Sequence, residues 1–393
     1  MHYAVPCVFS SQEGCRMTES VIELTVKQLP ETTVAGVRRW VSSEGAILTE
    51  IATLREMIGD TASGPPISLY LDRNTKRGLD VQIVFPVRRR VVDNGIHTWT
   101  LPGDYVLSTT YVGPLDGTAD RPGLDSAIRR LWTEIAVPNR LLLGDNPRRS
   151  VYLEGPETHG EDVSRYQTEI QISYHFPVWV EALRSGVASC AGDEAANHVV
   201  AGGEKLYEVF NPDRLRGWVR GAIARLDEAV PDERTRACLM NGCAHPHPKP
   251  QLERLRAAYR ESGDLGRFVE RLEMDKTLYP PRVWREPDRP SVLYVERTIP
   301  YPDERDATDD PIEKRFHTCF CSMVKDAILR GEEISPTFCH CSAGWFVQIW
   351  EAILDRRLRV DVVQDVLHGA DRCVFAVHLP KELLSRDSST NGA

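Results

Sequence analysis

Four of the ten cysteines of this 393-residue chain lie close together, in the segment HTCFCSMVKDAILRGEEISPTFCHCSAGW. They form two Cys-x-Cys pairs, Cys319 with Cys321 and Cys339 with Cys341. Each pair falls at or just before a predicted helix N-terminus. A thiol there gains thiolate character, because the backbone N–H groups and the helix dipole stabilise negative charge. We therefore expect lowered pKa values for these thiols.

Three interpretations fit this spacing, and the sequence leaves them open. The first is a tetrahedral zinc site made by all four thiolates, although structural zinc more often uses Cys-x2-4-Cys spacing. The second is redox or nucleophilic chemistry at a thiolate. The third is packing, because cysteine is among the residue types most often buried. Zinc is the one cofactor that the cysteines suggest.

The first half of the chain offers an acid and three aromatic residues suited to a ligand cleft. In SRYQTEIQISY, strand alternation places Glu169 and Gln171 on one face and Thr168 and Ile170 on the other. A carboxylate among apolar neighbours is costly unless paired, so Glu169 pairs either with a bound cation or with a neighbouring arginine. Tyr152 is either a flat ligand contact or a half-buried core tyrosine. The same two interpretations apply to the aromatic residues beside the LPGD turn, Trp99 and Tyr105.

These residues fall within a doubled pattern of strands and helices. VIELTVKQL alternates as a strand does, EGAILTEIATLREMIG has apolar residues at helical spacing, and ISLYLDR and LDVQIVFPV follow as strands. The order strand-helix-strand-strand returns through HTWTLPGDYVLSTTYVG, GLDSAIRRLWTEI, RRSVYLEG and YQTEIQISYHFPV. Two such units side by side predict a curved antiparallel sheet, with helices on one face and a cleft on the other.

The segments LPETTVAGVR, LPGDYVLSTTYVGP, VYLEGP and TEIQISY resemble, in that order, the GyrI-like family, also called the AraC effector-binding domain. The resemblance covers residues about 19–178 and implies a hydrophobic cleft for small, often aromatic or cationic molecules. It matches Glu169 to a position associated with the ligand pocket. Many relatives carry an acid two residues before the tyrosine that matches Tyr152. This chain has Ser150 there, which makes a neutral ligand more plausible.

The same resemblance keeps an enzymatic alternative open. Some single-domain members of the family are thought to hydrolyse strained cyclopropane-containing compounds with a pocket acid and aromatic residues. That role implies Glu169 as a general acid or base whose pKa is raised by burial.

The second half is rich in cysteine and predicts an α+β domain, with helices first and a small sheet last. CSMVKDAILRG and PTFCHCSAGWFVQIWEAIL have helical spacing, and LRVDVVQDVLHG and CVFAVHLP predict a hairpin. Over residues about 215–380 this half resembles proteins labelled L-2-amino-thiazoline-4-carboxylic acid hydrolase-like and the related 4-vinyl reductase ligand-binding domains. That resemblance implies a small-molecule pocket, with zinc held by cysteines in some members.

Composition divides the chain into five predicted segments. The linker prediction rests on the Ala, Gly and Ser content of SGVASCAGDEAANHVVAGGEKL. Met17 precedes the first patterned segment and is a second candidate start. The segments are a tail (1–16), the effector-binding domain (17–182), a linker (183–206), the Cys-rich domain (207–382) and a disordered tail (383–393).

Charge and hydropathy argue against several classes of function. The net charge is −9, no Lys/Arg cluster outweighs the acidic residues, and no helix-turn-helix precedes the first domain, so direct binding of nucleic acid is not expected. No apolar run approaches roughly 18 residues, and the N-terminus lacks the features of a secretory signal. We therefore expect a cytoplasmic protein with no membrane partner; the oligomeric state is left open.

Together these observations predict a small-molecule-binding protein of the effector-binding type, for an apolar or weakly cationic ligand. Two other functions stay open. One is a hydrolase acting on a xenobiotic or a heterocycle, and the other is a metal- or thiol-based sensor.

Overall fold

The computed structural model describes most of the chain between residues 24 and 383. The predicted N-terminal tail (1–16), Met17 and all of the predicted C-terminal tail except Leu383 lie outside the described residues. The described residues are 24–74, 78–91, 95–118, 121–131, 146–206, 211–244, 247, 249–279, 281–380 and 382–383.

The chain divides into two compact units. Among the described residues, the first unit comprises 24–131 and 148–171, and the second comprises 146–147 and the chain from Ile172 onward. The domain boundaries predicted from composition stay predictions.

The first unit is built on one eight-stranded sheet. Its strands are β1 (Thr25–Leu29), β2 (Thr32–Val41), β3 (Ile67–Asn74), β4 (Gly78–Pro86), β5 (His97–Leu101), β6 (Asp104–Val112), β7 (Arg148–Glu154) and β8 (Gln167–Ser173). Its helices are α1 (Ala46–Ile58), α2 (Leu124–Leu131) and α3 (Pro156–His159).

The predicted α+β class and the curved antiparallel sheet are confirmed. The strand order is β1-β6-β8-β7-β3-β4-β2-β5. Each half of the unit carries one more strand ahead of its helix than the sequence pattern predicts, so the observed order is β-β-α-β-β. In the first half the extra strand is β2, which follows β1 after only Pro30 and Glu31 and pairs with β4 and β5.

The pairing register assigns side chains to the two faces of this sheet. Leu69 in β3 lies opposite Arg149 in β7, and Arg149 lies opposite Gln171 in β8. Partners in register point to the same side, and residues two apart on a strand do as well. Glu169 therefore shares this side, which we call the glutamate face.

Helix α1 lies on the opposite side, which we call the helix face. The Arg55 guanidinium of α1 lies 5.2 Å from the centroid of the Phe85 ring in β4. Phe85 and Val81 lie four residues apart on β4 and therefore share a face, and Val81 is in register with Tyr70 of β3. Tyr70 therefore points toward α1. The side chains that α1 itself buries are Ile47, Ile51, Leu54 and Ile58.

The second unit begins with helices where the sequence predicts a linker. Residues 183–206 fall largely within α4 (Phe176–Ala191), α5 (Asp193–Val199) and a short 3-10 helix at Gly203–Leu206. Alanine is the best helix former, and the helices bury Val187, Ala196 and Val199, so burial outweighs the glycine and serine content.

The second unit also contains a four-stranded sheet and further helices. They are α6 (Pro212–Ala229), α7 (Glu233–Gly242), α8 (Lys249–Ser262), α9 (Leu265–Met274), α10 (Pro302–Asp306), α11 (Pro311–Thr318), α12 (Asp326–Arg330) and α13 (His340–Leu354). The strands are β9 (Arg282–Glu286), β10 (Arg289–Glu296), β11 (Arg359–Gln364) and β12 (Val374–His378).

The predicted hairpin of the second unit is present as the antiparallel pair β11 and β12. The sheet order is β11-β12-β10-β9, so a second hairpin, which the sequence did not predict, completes it. Helix α13 packs on this sheet through Phe346, Ile349 and Trp350, which are fully buried with Phe375 and Leu293. Across the described residues, no helix is both long and apolar enough to cross a membrane.

Candidate functional site

A buried polar cluster lies on the helix face of the first unit. Glu44, two residues before α1, is only 5% exposed. The Tyr70 hydroxyl donates a hydrogen bond to Glu44 Oε2, and it lies 3.4 Å from the Tyr152 hydroxyl. Arg148 Nη2 lies 3.5 Å from Glu44 Oε1, and the Arg148 guanidinium lies 3.4 Å from the centroid of the Tyr70 ring. These four side chains form what we call the Glu44 cluster.

Burial dominates the electrostatics of this cluster. It raises the pKa of Glu44, although the charge of Arg148 and the Tyr70 hydrogen bond act in the opposite direction. Burial also raises the pKa of Tyr70 and of Tyr152, so both phenols remain protonated donors. A buried carboxylate whose charged form is disfavoured gains most from an added positive charge.

Glu44 also lines an open pocket of about 600 Å³, which we call the acidic pocket. Asp116 and Asp125 supply two further carboxylates to its wall, and Arg129 pairs with Asp125 at 2.9 Å. Asp116 accepts hydrogen bonds from Gly45 N and Ser43 Oγ, each at 2.9 Å, which fixes the loop against the start of α1. The pocket volume falls within the range of small-molecule sites.

Two glycines bring the walls of the acidic pocket together. A Cβ atom on Gly123 would lie 2.3 Å from Gly117 N and 2.7 Å from Leu115 O. Because these neighbours are backbone atoms, only glycine permits the approach. This contact closes the loop that carries Asp116 onto the first turn of α2, where Asp125 lies.

Glu169 is buried on the glutamate face and paired within the sheet. Lys27 Nζ lies 2.8 Å from Glu169 Oε1, which also accepts hydrogen bonds from Ser108 Oγ and, at 3.1 Å, from Gln171 Nε2. Burial acts to raise the pKa of Glu169, but the hydrogen bonds from Lys27, Ser108 and Gln171 outweigh it and lower the pKa. The carboxylate is therefore ionised, and a lysine of the chain neutralises it.

The predicted aromatic residues are divided between the two faces. Trp99 packs against Val34, Leu69, Val84 and Leu101 on the glutamate face. Tyr105 lies three residues from Ser108 on β6, so the two side chains point to opposite faces. Because Ser108 contacts Glu169, Tyr105 points toward the helix face. Its strand lies next to β8, on the side away from β7.

Of the four predicted ligand contacts, the structure therefore brings one, Tyr152, into the Glu44 cluster. Glu169 and Trp99 share the other face. The ligand-binding roles of all four residues stay predictions.

Sequence reasoning missed three members of the Glu44 cluster. Arg148, Ser150 and Tyr152 alternate along β7, and this alternation is a readable signal that Arg148 and Tyr152 share a face. Glu44 gives no such signal, because an acid just ahead of a helix is usually a solvated group that favours the helix dipole. Its burial depends on the packing of Tyr70 and Arg148, which are distant in sequence.

The four clustered cysteines of the second unit have raised pKa values, so the expected lowering is wrong. Burial is the main cause for each, and it raises the pKa of Cys321 to about 12. Cys319 follows α11 rather than preceding a helix, and Cys341 lies within the first turn of α13. Packing around sulfur disfavours the thiolate more than the helix N-terminus favours it.

Among the described residues, one group of metal-ligand type is compact enough to share an ion. Its atoms, from Cys339, Asp365 and His368, lie within 4.8 Å of one another, and it includes one of the four predicted zinc thiols. His368 Nδ1 lies 2.5 Å from Asp365 Oδ1, and His368 Nε2 lies 2.7 Å from the Ile334 carbonyl oxygen. Both ring nitrogens act as donors, so the imidazole has no lone pair for a metal. The arrangement does not fit zinc as it stands.

His368 instead forms a charged clamp, and this predicts a pH dependence of stability. The Asp365 hydrogen bond is the main cause that raises the pKa of His368 above its ordinary 6.5. Stability from the clamp is therefore complete below pH 6.5 and is lost as the pH rises through the raised value. We expect the difference in unfolding free energy between wild type and His368→Gln, measured by urea titration, to fall as the pH rises over that range.

The partly buried His340 adds a pH-dependent background to this measurement. Burial lowers the pKa of His340, so its contribution to stability changes in the opposite direction with pH. The difference between wild type and His368→Gln removes that background. A difference that is constant with pH would show that His368 is not held as an imidazolium.

Comparisons with known proteins show distant structural likenesses. No family model and no curated protein matches the chain. The solved C-terminal domain of EcmrR is 21% identical, covers 39% of this chain and 98% of its own, and has a TM-score of 0.33. SAV2435 bound to tetraphenylphosphonium is 14% identical, with 39% and 94% covered and a TM-score of 0.26. A hydrolase from Listeria innocua is 9% identical, with 39% and 93% covered and a TM-score of 0.28.

Proposed function

We propose that the first unit binds a small cationic molecule in the acidic pocket, with the Glu44 carboxylate as the counter-charge. The observation that carries this proposal is a buried carboxylate of raised pKa at the wall of a pocket of about 600 Å³. The type of domain is the effector-binding, GyrI-like one that the sequence motifs resemble.

The physical basis is the cost of keeping Glu44 ionised. Removing a carboxylate from water is unfavourable unless positive charge and hydrogen bonds replace the water. Arg148 supplies part of that charge at 3.5 Å, which is longer than a direct charged hydrogen bond. A ligand ammonium or aromatic cation in the acidic pocket would supply more, and Asp116 and Asp125 add attraction in the same direction.

The Tyr70 hydroxyl gives this site a means to select ligands. It holds Glu44 Oε2 from the side of the sheet, which fixes the orientation of the carboxylate. The second oxygen, Oε1, is oriented toward Arg148. Because the phenols remain protonated, they add no charge of their own, and the negative charge of the site comes from Glu44, Asp116 and Asp125. A cation is therefore favoured over an anion of the same shape.

Binding of the permanent cation N-methylacridinium tests the role of Glu44. We expect Glu44→Gln to weaken this binding about 10- to 100-fold, since a charge-assisted contact contributes about 1.5–3 kcal/mol. Neutral acridone, which has a similar ring system, should bind both proteins equally. Fluorescence titration of the full chain measures both ligands.

Glu56→Gln is the matched control, because Glu56 is an exposed acid within α1, the helix that Glu44 precedes. It should leave N-methylacridinium affinity unchanged. The affinity of wild type should also rise with pH through the raised pKa of Glu44, whereas Glu44→Gln lacks this component. Equal cation affinity in wild type and Glu44→Gln at every pH would exclude Glu44 as the counter-charge.

The same titrations test the prediction made for Glu169. Its carboxylate is already neutralised by Lys27 at 2.8 Å, so a cationic ligand there has to displace a lysine. If Glu169→Gln and not Glu44→Gln weakens N-methylacridinium binding, the ligand occupies the glutamate face instead of the acidic pocket.

A further inference from the structure

A buried arginine of the second unit carries a separate inference. Arg297 directly follows β10 and is only 7% exposed. Its backbone N–H donates to the Cys373 carbonyl at 2.9 Å, which fixes its main chain next to β12. The side chain therefore enters the interior from a rigid position.

The guanidinium of Arg297 is surrounded by rings rather than acids. Its central carbon lies 4.1 Å from the Phe320 ring centroid, 4.7 Å from Trp345 and 5.9 Å from Phe346. These contacts provide cation–π attraction. Within the described part of the chain, no carboxylate forms an ion pair with Arg297, and its buried Nε has no hydrogen-bond partner.

The cysteines near Arg297 do not replace the missing counter-ion. Burial raises the pKa values of Cys321, Cys341 and Cys373, so these thiols are neutral at physiological pH. The Trp179 indole N–H additionally donates to Cys341 Sγ at 3.4 Å, which occupies that sulfur as an acceptor. Burial lowers the pKa of Arg297, but an arginine keeps its proton in proteins. Among the residues that the structure describes, this positive charge is therefore buried without an anion.

A small cavity lies against this guanidinium. Its volume is about 30 Å³. A single water molecule needs about 10–15 Å³ of such a cavity, so two or three atoms of a ligand fit. Arg297 lines it together with thiols and rings. The other lining side chains that matter here are Cys321, Cys341, Phe338, Trp179 and Trp345. The cavity thus admits only a few atoms, and most of its wall is apolar.

We infer that this cavity binds the carboxylate group of a small organic acid, with Arg297 as its charge partner. A guanidinium presents donors in a planar fork that matches the two oxygens of a carboxylate. Such a ligand replaces the water that burial removed from the charge, and its carbon atoms contact the aromatic wall. A dianion would leave one negative charge unpaired among apolar groups, so a monoanion fits better.

This site differs from the acidic pocket in the sign of its charge and lies wholly in the second unit. It does not depend on the function proposed for the first unit. Failure of cation binding at Glu44 leaves it unaffected.

Saturation-transfer NMR of the full chain with acetate and acetamide tests the inference. The two molecules have nearly the same shape and differ in charge. We expect acetate to bind wild type at least about tenfold more tightly than acetamide does, because only acetate forms charge-assisted bonds. Arg297→Met should remove that preference, and Arg297→Lys should weaken acetate binding about tenfold by removing the fork.

Arg282→Met is the matched control. Arg282 also lies near an indole, 5.0 Å from the Trp284 ring, but its side chain is 60% exposed. It should keep the acetate preference of wild type. If Arg297→Met does not fold, the wild-type comparison decides alone, because equal binding of acetate and acetamide overturns the inference. An acetate preference that persists in folded Arg297→Met overturns it as well.

Discussion

Gly344→Ala is expected to lower the unfolding free energy of the second unit by about 3 kcal/mol. Gly344 lies in α13 where that helix crosses α7. A Cβ atom there would lie 2.1 Å from the Asn241 carbonyl oxygen and 2.5 Å from Asn241 Cα. Because both atoms are backbone, no rotamer change relieves the clash, and the two helices must separate. Urea denaturation followed by circular dichroism measures the change.

The matched control is the same substitution in another helix of the same unit. Gly217 lies in α6, is exposed, and would place its new Cβ in open space, with no atom within 4 Å. Gly217→Ala should therefore raise stability by about 0.5–1 kcal/mol, which is the helix preference of alanine over glycine. Two substitutions of identical chemistry thus change stability in opposite directions. A stabilising Gly344→Ala would show that α7 and α13 do not approach each other this closely.

Native alkylation with iodoacetamide is expected to separate the cysteines by orders of magnitude in rate. The thiolate is the reactive form. A pKa of about 12 for Cys321, against 9.0 for an ordinary thiol, is a difference of three units. It reduces the thiolate fraction about 1,000-fold at a given pH. Cys319, Cys339 and Cys341 should also react slowly, whereas the exposed Cys190 and Cys238 should react first, as peptide mass mapping would show.

Two controls make the alkylation result specific. Unfolding in urea should equalise the cysteines, because burial is the cause of the protection. A chelator added to the native protein should change nothing if the sulfurs are packed thiols. If the chelator instead exposes Cys319, Cys321, Cys339 and Cys341 together, they were thiolates on a metal, and the zinc prediction from their spacing is supported. Cys321 reacting as fast as Cys238 without chelator would contradict both interpretations.

Local periodicity was sufficient to predict most elements of the fold. The alternation in β3, β4 and β8 and the helical spacing in α1 and α13 depend on neighbours in sequence, and all five elements are present. The β9–β10 hairpin was not predicted because Pro287, Asp288 and Pro290 resemble an irregular loop. Pro287 and Asp288 form the turn of the hairpin, and Pro290 lies near the start of β10. Leu293 and Val295 are the buried residues of that strand.

The candidate sites were harder to predict, since their chemistry depends on contacts between distant residues. Alternation correctly separated Glu169 from Thr168 and Ile170, but the partner of Glu169 is Lys27, 142 residues earlier. Glu44 acquires its raised pKa from the packing of β3 and β7 against the start of α1. The raised thiol pKa values have the same origin, because they reflect how densely each sulfur is packed rather than its place along a helix.

Strand β1 has a consequence for the charge balance of the first unit. Among the described strands it is a terminal one, paired with β6 alone, and it carries the lysine that neutralises Glu169. Terminal strands fray more readily than central ones, with correspondingly faster amide exchange. Each fraying event would separate Lys27 from Glu169 and briefly leave the Glu169 carboxylate without its positive partner. The electrostatic field on that face thus depends on an element held by a single row of hydrogen bonds.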